Sequence, residues 1–384
     1  MVKPDCGRLD NKSKASDWEK NALSSVAPLQ RGFDLPTSQL QDGEFPVVYS
    51  NGVLNFHRYA MVEGPGVVTG RSGTIGNVHY LENDFWPHNT TLWVTDFRGN
   101  YPKFVFYLYQ FIDLSKFSTG SGVPTLNRND VHAHTVRIPP LTEQKAIASA
   151  LSDVDALIES LDRLIAKKRD IKQAAMQELL TGKKRLPGFE GEWDNYELRT
   201  LVKEFIVPMR DKPKQFGGNI PWCRIEDFDG VYLAESKTNR YVDSQTISEM
   251  NLKVCPIGTL LVSCSADLGR CAIVKRPLVT NQTFIGLVIN ETKASNLFFY
   301  YLMTSKAVEL NNLSSGTTIS YLSREQFEEY EVHAPREKKE QTAIATALMD
   351  IDEELDALCE QLTKVQQVKQ GMMQELLTGR IRLV

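Results

Sequence analysis

Between Ile344 and Val365 the large apolar residues fall at alternating steps of four and three: Ile344, Leu348, Ile351, Leu355, Leu358, Leu362 and Val365. Polar and charged residues fill most of the gaps. This is the heptad seam of an amphipathic helix that packs against another helix. The same alternation runs through Ile147, Leu151, Val154, Ile158, Leu161 and Ile165. Neither stretch contains proline, and Gly182 and Gly379 follow directly after the last apolar residues, where a helix is expected to stop. Each stretch predicts one helix of roughly 36–40 residues, about 55–60 Å long. Such a helix cannot bury its apolar stripe alone.

The two helices are copies. MQELLTG occurs at 176–182 and again at 373–379, and residues 143–186 align with 340–383 without a gap, about half the positions being identical. The duplication extends upstream more weakly. STGSGVPTLNR (118–128) resembles SSGTTISYLSR (314–324), pairing Leu126 and Arg128 with Leu322 and Arg324. GTIG (73–76) followed by Asn89 echoes ADLG (266–269) followed by Asn281, and FYLYQ (106–110) echoes YYLMT (300–304). Each copy opens on tryptophan, WEKNAL at 18–23 and WDNYEL at 193–198.

The order is therefore variable domain, long helix, variable domain, long helix. The boundaries read as 1–139 for the first domain (1–17 disordered), 140–182 for the first helix, 183–334 for the second domain with its leading linker, and 335–384 for the second helix. Short strand signals occur at 46–50, 66–68, 91–94, 259–263 and 284–289, with shorter helices near 101–113 and 295–310. Each domain reads as α+β around a small, curved, mostly antiparallel sheet. Paired antiparallel, the helices would give a coiled coil with one domain at each end and an approximate two-fold. The chain would also be nearly circular, since what should follow Val384 corresponds to the region of Trp18 that opens the first domain. Two readers related by a two-fold match the symmetry of duplex DNA, where half-sites recur about every 34 Å. Because the two domains differ, their half-sites should differ.

Composition narrows this picture. Apolar residues make up 42% of the chain, enough for real cores, and no window approaches the roughly 18 consecutive apolar residues of a membrane span. The polar N-terminus lacks the apolar core of a secretory signal, which predicts a cytoplasmic protein. The six cysteines form no C-x-x-C pair, so no zinc site is expected. Net charge is −4, with 13 basic and 13 acidic residues in 1–139 and 15 and 17 in 193–334. Neither domain is basic, so DNA binding by the isolated chain should be weak.

The architecture, the stretch PPLTEQKAIASALSDVDALI (139–158) and the repeated QELLTG closely resemble the specificity subunits of type I restriction–modification systems. The resemblance runs from about Trp18 to Leu383 and is carried most specifically by the helices. It implies a host-defence role in which each variable region is a target-recognition domain reading one half of a split site in double-stranded DNA. It implies that the helices set the spacing and dock two methyltransferase subunits, which bind S-adenosylmethionine and methylate adenine N6. It further implies motor–nuclease subunits that use ATP and Mg, and no cofactor on this chain.

Base reading needs donors and acceptors on loops: Arg for guanine, Asn and Gln for adenine. In the first domain TGRSGTIGN offers Arg71, Ser72 and Asn77, and its glycines Gly70, Gly73 and Gly76 would let backbone approach phosphate. FSTGSGVPTLNR offers Ser118, Thr119, Ser121, Asn127 and Arg128. In the second domain SCSADLGR offers Ser263, Ser265 and Arg270, and LSSGTTISYLSR offers Ser314, Ser315, Thr317, Thr318 and Arg324. Arg210, Lys212 and Lys214 in PMRDKPK are candidates for gripping phosphates. Loops of this composition are also ordinary turns, and Arg128 and Arg324 could equally serve structural ion pairs.

Catalytic signatures are missing. There is no N-P-P-Y-like tetrapeptide, no phosphate loop, and the glycines of GVVTGRSGTIG are too loose for a dinucleotide fingerprint. The acid-x-Lys triplets Glu235–Lys237 and Glu291–Lys293 lack a matching upstream acid. His132 and His134 read as one face of a surface strand without a third ligand. Two other readings remain open: a coiled-coil scaffold that binds proteins rather than bases and, disfavoured by the missing motifs, a self-contained methyltransferase–nuclease.

Overall fold

The computed structural model describes residues 17–119, 124–265, 267–313 and 321–383. Of the stretch 1–17 expected to be disordered, residues 1–16 lie outside them. Two long helices, Leu141–Leu179 and Lys338–Leu376, appear where the heptad pattern places them. Gly182 and Gly379 take φ of 71° and 70°, the left-handed turn that ends a helix and favours glycine. By contacts the chain divides into two units. One joins the residues up to Arg163 to those from Glu360 onward; the other is Leu164–Cys359.

In the first unit a four-stranded antiparallel sheet runs in the order Leu29–Arg31, Thr91–Val94, Gly66–Gly70, Val78–Leu81. A second sheet holds Gly52–His57, Phe45–Tyr49 and Trp86–Pro87, the last pair parallel. The expected single sheet is thus two, and the hairpin Phe45–His57 belongs to the second. Helix Pro102–Phe111 begins on a proline, whose missing N–H costs nothing at that position. It buries six consecutive residues, Phe104 to Tyr109. Strand Glu19–Ala22 pairs with Thr135–Ile138, bringing the start of the domain to the start of the long helix.

The second unit repeats this plan with more strands. A five-stranded sheet runs Val202–Ile206, Phe284–Ile289, Leu260–Ser263, Cys271–Val274, Tyr232–Leu233. A four-stranded one runs Tyr241–Val242, Ile220–Cys223, Leu278–Thr280, Val254–Cys255. Trp193–Glu197 pairs with Glu331–Pro335 as its counterpart does in the first unit. The helix expected over 295–310 is two, Asn296–Ser305 and Ala307–Leu313. At the break Gly269 lies so close that a β-carbon there would sit 2.5 Å from Cα of Ala307.

Within each unit the long helices run antiparallel. In the first, Leu376 and Leu377 share a core with Ile147, Ala148 and Leu151, and Lys369 reaches Asp155 at 2.7 Å. In the second, Leu179 and Leu180 share a core with Ile344, Ala345 and Leu348, and Lys172 pairs with Asp352. Ile147, Leu151, Ile344 and Leu348 are fully buried, each contributing about 1.5–3 kcal/mol by removal from water.

The same polar fastening occurs at both helix starts. Gln144 donates to Pro139 O and accepts from Tyr101 N, while Gln341 donates to Pro335 O and accepts from Ser295 N. Glu143 receives Arg382 and Trp18, and Glu340 receives Arg185 and Trp193. The tryptophan that opens each domain is therefore a clamp on its long helix.

Candidate nucleic-acid interface

In the first unit strand Gly66–Gly70 ends in the loop carrying Arg71, Ser72 and Asn77. A β-carbon on Gly70 would lie 1.8 Å from Thr74 O, so the loop can curl back only over glycine. Gly73 and Gly76 have φ of 84° and 96°, and nothing lies within 4 Å of a β-carbon built on Gly76. The arc is tight on its inner side and open on its outer side.

This loop is fastened to the second predicted loop. Ser72 bridges Thr125, Gly73 N donates to Pro124 O at 3.1 Å, and Leu126 N donates to Arg71 O at 2.7 Å. Ser118–Thr119 pairs with Thr125–Leu126. The fold thus unites two segments about fifty positions apart in sequence. Between them lies a cleft of about 560 Å³ lined by Arg31, Arg71, Thr125, Asn127 and Arg128.

Arg71 is steadied by Asn89 O at 3.4 Å. Asn127 spends its carbonyl on Asn129 N as a helix cap, and Arg128 opens the short helix that follows. Arg31 was not among the sequence candidates. It arrives on a strand far away in the chain, half exposed, with Asp34 at 3.2 Å. Asn77 is exposed at the loop end, and Ser121 lies outside the described residues. Beside the loop stands the tip of hairpin Phe45–His57, and along its second strand Val53, Leu54 and Phe56 are 42%, 59% and 54% exposed.

The second unit joins its loops the same way. Ser265 bridges Tyr321, and Leu322 N donates to Cys264 O at 2.9 Å. Arg324, like Arg128, opens a short helix; its Nε meets Glu328 at 2.6 Å. Arg270 keeps an exposed side chain and donates to Phe228 O at 3.1 Å. Ser263 corrects its assignment as a DNA contact. It is fully buried, and its hydroxyl donates to Ser265 O at 2.7 Å, shaping the turn from inside. Ser314, Ser315, Thr317 and Thr318 lie outside the described residues. Arg210, Lys212 and Lys214 stand exposed on the loop between strands Val202–Ile206 and Ile220–Cys223; burial raises the Tyr321 pKa, and Arg210 partly opposes the rise.

Other sequence candidates fall away from this surface. His132 and His134 share no strand: His132 lies on helix Arg128–Ala133 and His134 is its C-cap. Asn127 supplies an N-cap and Asp130 a first-turn acid, both of which favour that helix. His132 Nε2 accepts from Leu29 N at 2.8 Å, and burial holds the ring below its usual pKa. The triplet Glu235–Lys237 is divided between Arg276 and Asp229. Burial pushes the thiols of Cys223, Cys255 and Cys271 up to about 12 and that of Cys264 to about 11, far from nucleophilic thiolate. Among the described residues no group of three or more His, Cys, Asp or Glu could hold a metal ion.

The class these features define is an internally duplicated α+β protein in which each repeat hangs a loop-bearing, sheet-rich domain on a long helix. The chain belongs to the family of type I restriction modification DNA specificity domains, whose sequence model matches residues 15–167 and again 191–368. It is 26% identical over 271 residues to a Methanocaldococcus jannaschii protein described as the specificity subunit of the type I restriction enzyme MjaX. The match covers 67% of this chain and 62% of that protein. It is 24% identical over 290 residues to the MjaVIII specificity subunit of the same organism, covering 70% of this chain and 67% of the relative. The fold is similar to that of a type I restriction–modification S subunit from M. genitalium. There the TM-score is 0.65 at 16% identity, over 94% of this chain and 96% of that one.

Proposed function

We propose that this chain is the non-catalytic specificity subunit of a type I restriction–modification complex, each domain reading one half of an asymmetric, two-part site in duplex DNA. The observation that carries this reading is the fastening of the two donor-rich loops in each unit: Ser72 with Thr125 in the first, Ser265 with Tyr321 in the second. A scaffold that never touched bases would have no need to unite the segments richest in Arg, Ser and Asn twice over. The inferred readers are Arg71, Asn77, Asn127 and Arg128 in one domain, and Ser265 and Arg324 in the other.

The long helices set the gap between half-sites and dock two methyltransferase subunits, with motor–nuclease subunits joining them. S-adenosylmethionine, ATP and Mg belong to those partners. Leu157 and Ile171 support the docking role, since both stay 43% exposed on the long helix. Among the described residues no helix is long and apolar enough to cross a membrane, and the proposed site of action is the cytoplasm.

Exchange of residues 193–334 for the same region of another family member tests the reading. Mapping of methylated adenines should show one half of the site altered and the other kept. Alteration of both halves, or of neither, overturns it.

A further inference from the structure

The second domain is net acidic, yet among the described residues several of its cations meet no carboxylate. Of the arginines in 193–334, Arg199, Arg224, Arg270, Arg276 and Arg324 each meet a carboxylate. Among the described residues Arg210 and Arg240 meet none, and neither do Lys212 and Lys214. Lys212 and Arg240 converge on Phe216, and Arg240 also reaches Trp222. Phe216 and Trp222 pack at 5.4 Å between centroids. The guanidinium of Arg240 lies 5.5 Å from Phe216 and 5.8 Å from Trp222, Lys212 lies 5.8 Å from Phe216, and Arg224 lies 5.8 Å from Trp222.

The backbone fixes this arrangement. Gly217 N donates to Tyr241 O at 2.8 Å, and Trp222 N donates to Arg240 O at 2.9 Å. A β-carbon on Gly218, whose φ is 87°, would come within 2.7 Å of Asp243. Nη1 of Arg240 and Nε of Arg224 are buried without a hydrogen-bond partner.

Arg224 is paired with Glu226, but Arg240 and Lys212, both beside Phe216, meet no carboxylate among the described residues and repel each other. Ring faces attract them, but by only about 0.5–2 kcal/mol each. What relieves such a cluster is an anion. The rings themselves are poor seats for a base, because Trp222 is only 3% exposed and cations lie near both rings. The chemistry offered outward is positive charge on a rigid mount, which suits a phosphate and carries no sequence information. The corresponding hairpin of the first unit offers Val53, Leu54 and Phe56 instead.

We propose that Arg240 and Lys212, mounted on Phe216 and Trp222, each grip a backbone phosphate of duplex DNA and so position the second domain without reading bases. This rests on the function proposed above. The test uses the full complex with its methyltransferase partners, and measures binding of a labelled duplex bearing the site and of a scrambled duplex, at about 50–200 mM salt. R240Q and K212Q should each flatten the slope of log affinity against log salt by about 0.9, and the double variant by about 1.8. R240K should keep the slope, and the ratio of affinities for the two duplexes should not move. An unchanged slope in the double variant, or a lost ratio, overturns the proposal. Should R240Q fail to fold, exposed K212Q alone decides. A wild-type complex that ignores duplex DNA sinks the proposed function and this one with it.

Discussion

Arg382, beyond the end of the second long helix, lies flat against Glu143 in the first turn of the first: Nε to Oε1 is 2.7 Å and Nη2 to Oε2 is 2.8 Å. Leu383 N and the Trp18 indole donate to the same carboxylate. Both partners are buried, Glu143 to 2% and Arg382 to 10% exposure. Burial alone would raise the Glu143 pKa. Arg382, Leu383 N–H and Trp18 outweigh it and hold the carboxyl below its usual range.

The first prediction follows from that balance. R382A leaves a buried carboxylate without its cation and should cost about 3–5 kcal/mol. Because the folded pKa of Glu143 is depressed, its stabilising contribution is complete above the ordinary carboxylate range. It is lost as pH falls through the folded value. Denaturant titrations of wild type and E143Q should therefore diverge most near pH 7 and converge under acid. A gap independent of pH would contradict the assignment.

A second pair of contacts obeys the repeat. Tyr107 donates to Asp155, which also holds Lys369; Tyr301 donates to Asp352, which also holds Lys172. Burial, reinforced by the carboxylates, lifts both phenols well above their usual range, so each donates a proton at every physiological pH. Tyr301→Phe should cost about 0.5–1.5 kcal/mol. A double-mutant cycle of Y301F with D352N should return a coupling of about 0.5–3 kcal/mol. A cycle that closes at zero would mean the domain helix is held by apolar packing alone.

These contacts bear on how much the chain disclosed before its structure was known. The heptad positions were readable because burial in a helix pair repeats with the backbone, so Leu151 and Leu348 announce themselves. Gly182 and Gly379 were readable because the left-handed turn singles out glycine. The pairing of Arg128 with Arg324 was readable from the repeat. Arg31 was not, since only the pairing of strand Leu29–Arg31 with Thr91–Val94 brings it to the cleft. Arg240 was hidden for the same reason. Ser263 looked like a loop donor, but the strand continues to it and turns its hydroxyl inward. His132 misled through alternation with His134, where capping by Asn127 decides for helix.

Gly70 gives a third prediction. Its β-carbon would collide with Thr74 O at 1.8 Å, an atom of the reading loop's own backbone. G70A must push that loop outward, at about 1–3 kcal/mol. Methylation by the assembled complex should lose fidelity for one half of the site only. Equal loss at both halves would place the effect in folding rather than in the first domain's loop.

The arginine cleft of the first domain allows the proposed reading of bases to be tested apart from the gripping of phosphates. Arg71 is anchored by its own backbone to Thr90 and Leu126, and its side chain donates to Asn89 O at 3.4 Å, which tethers the guanidinium at the cleft. A planar fork is what a bidentate approach to guanine requires, and losing it should cost about 1–3 kcal/mol at one base pair. Arg31 is half exposed and shares its charge with Asp34 at 3.2 Å. It fits a phosphate. R71K should therefore relax the choice at a single position of the first half-site, even though charge is kept. R31K should bind as wild type, and R31Q should flatten the salt slope by about 0.9 with specificity intact. Competition binding against a panel of single-base variants distinguishes the two roles. If R71K binds every duplex as wild type does, Arg71 holds the loop and reads nothing.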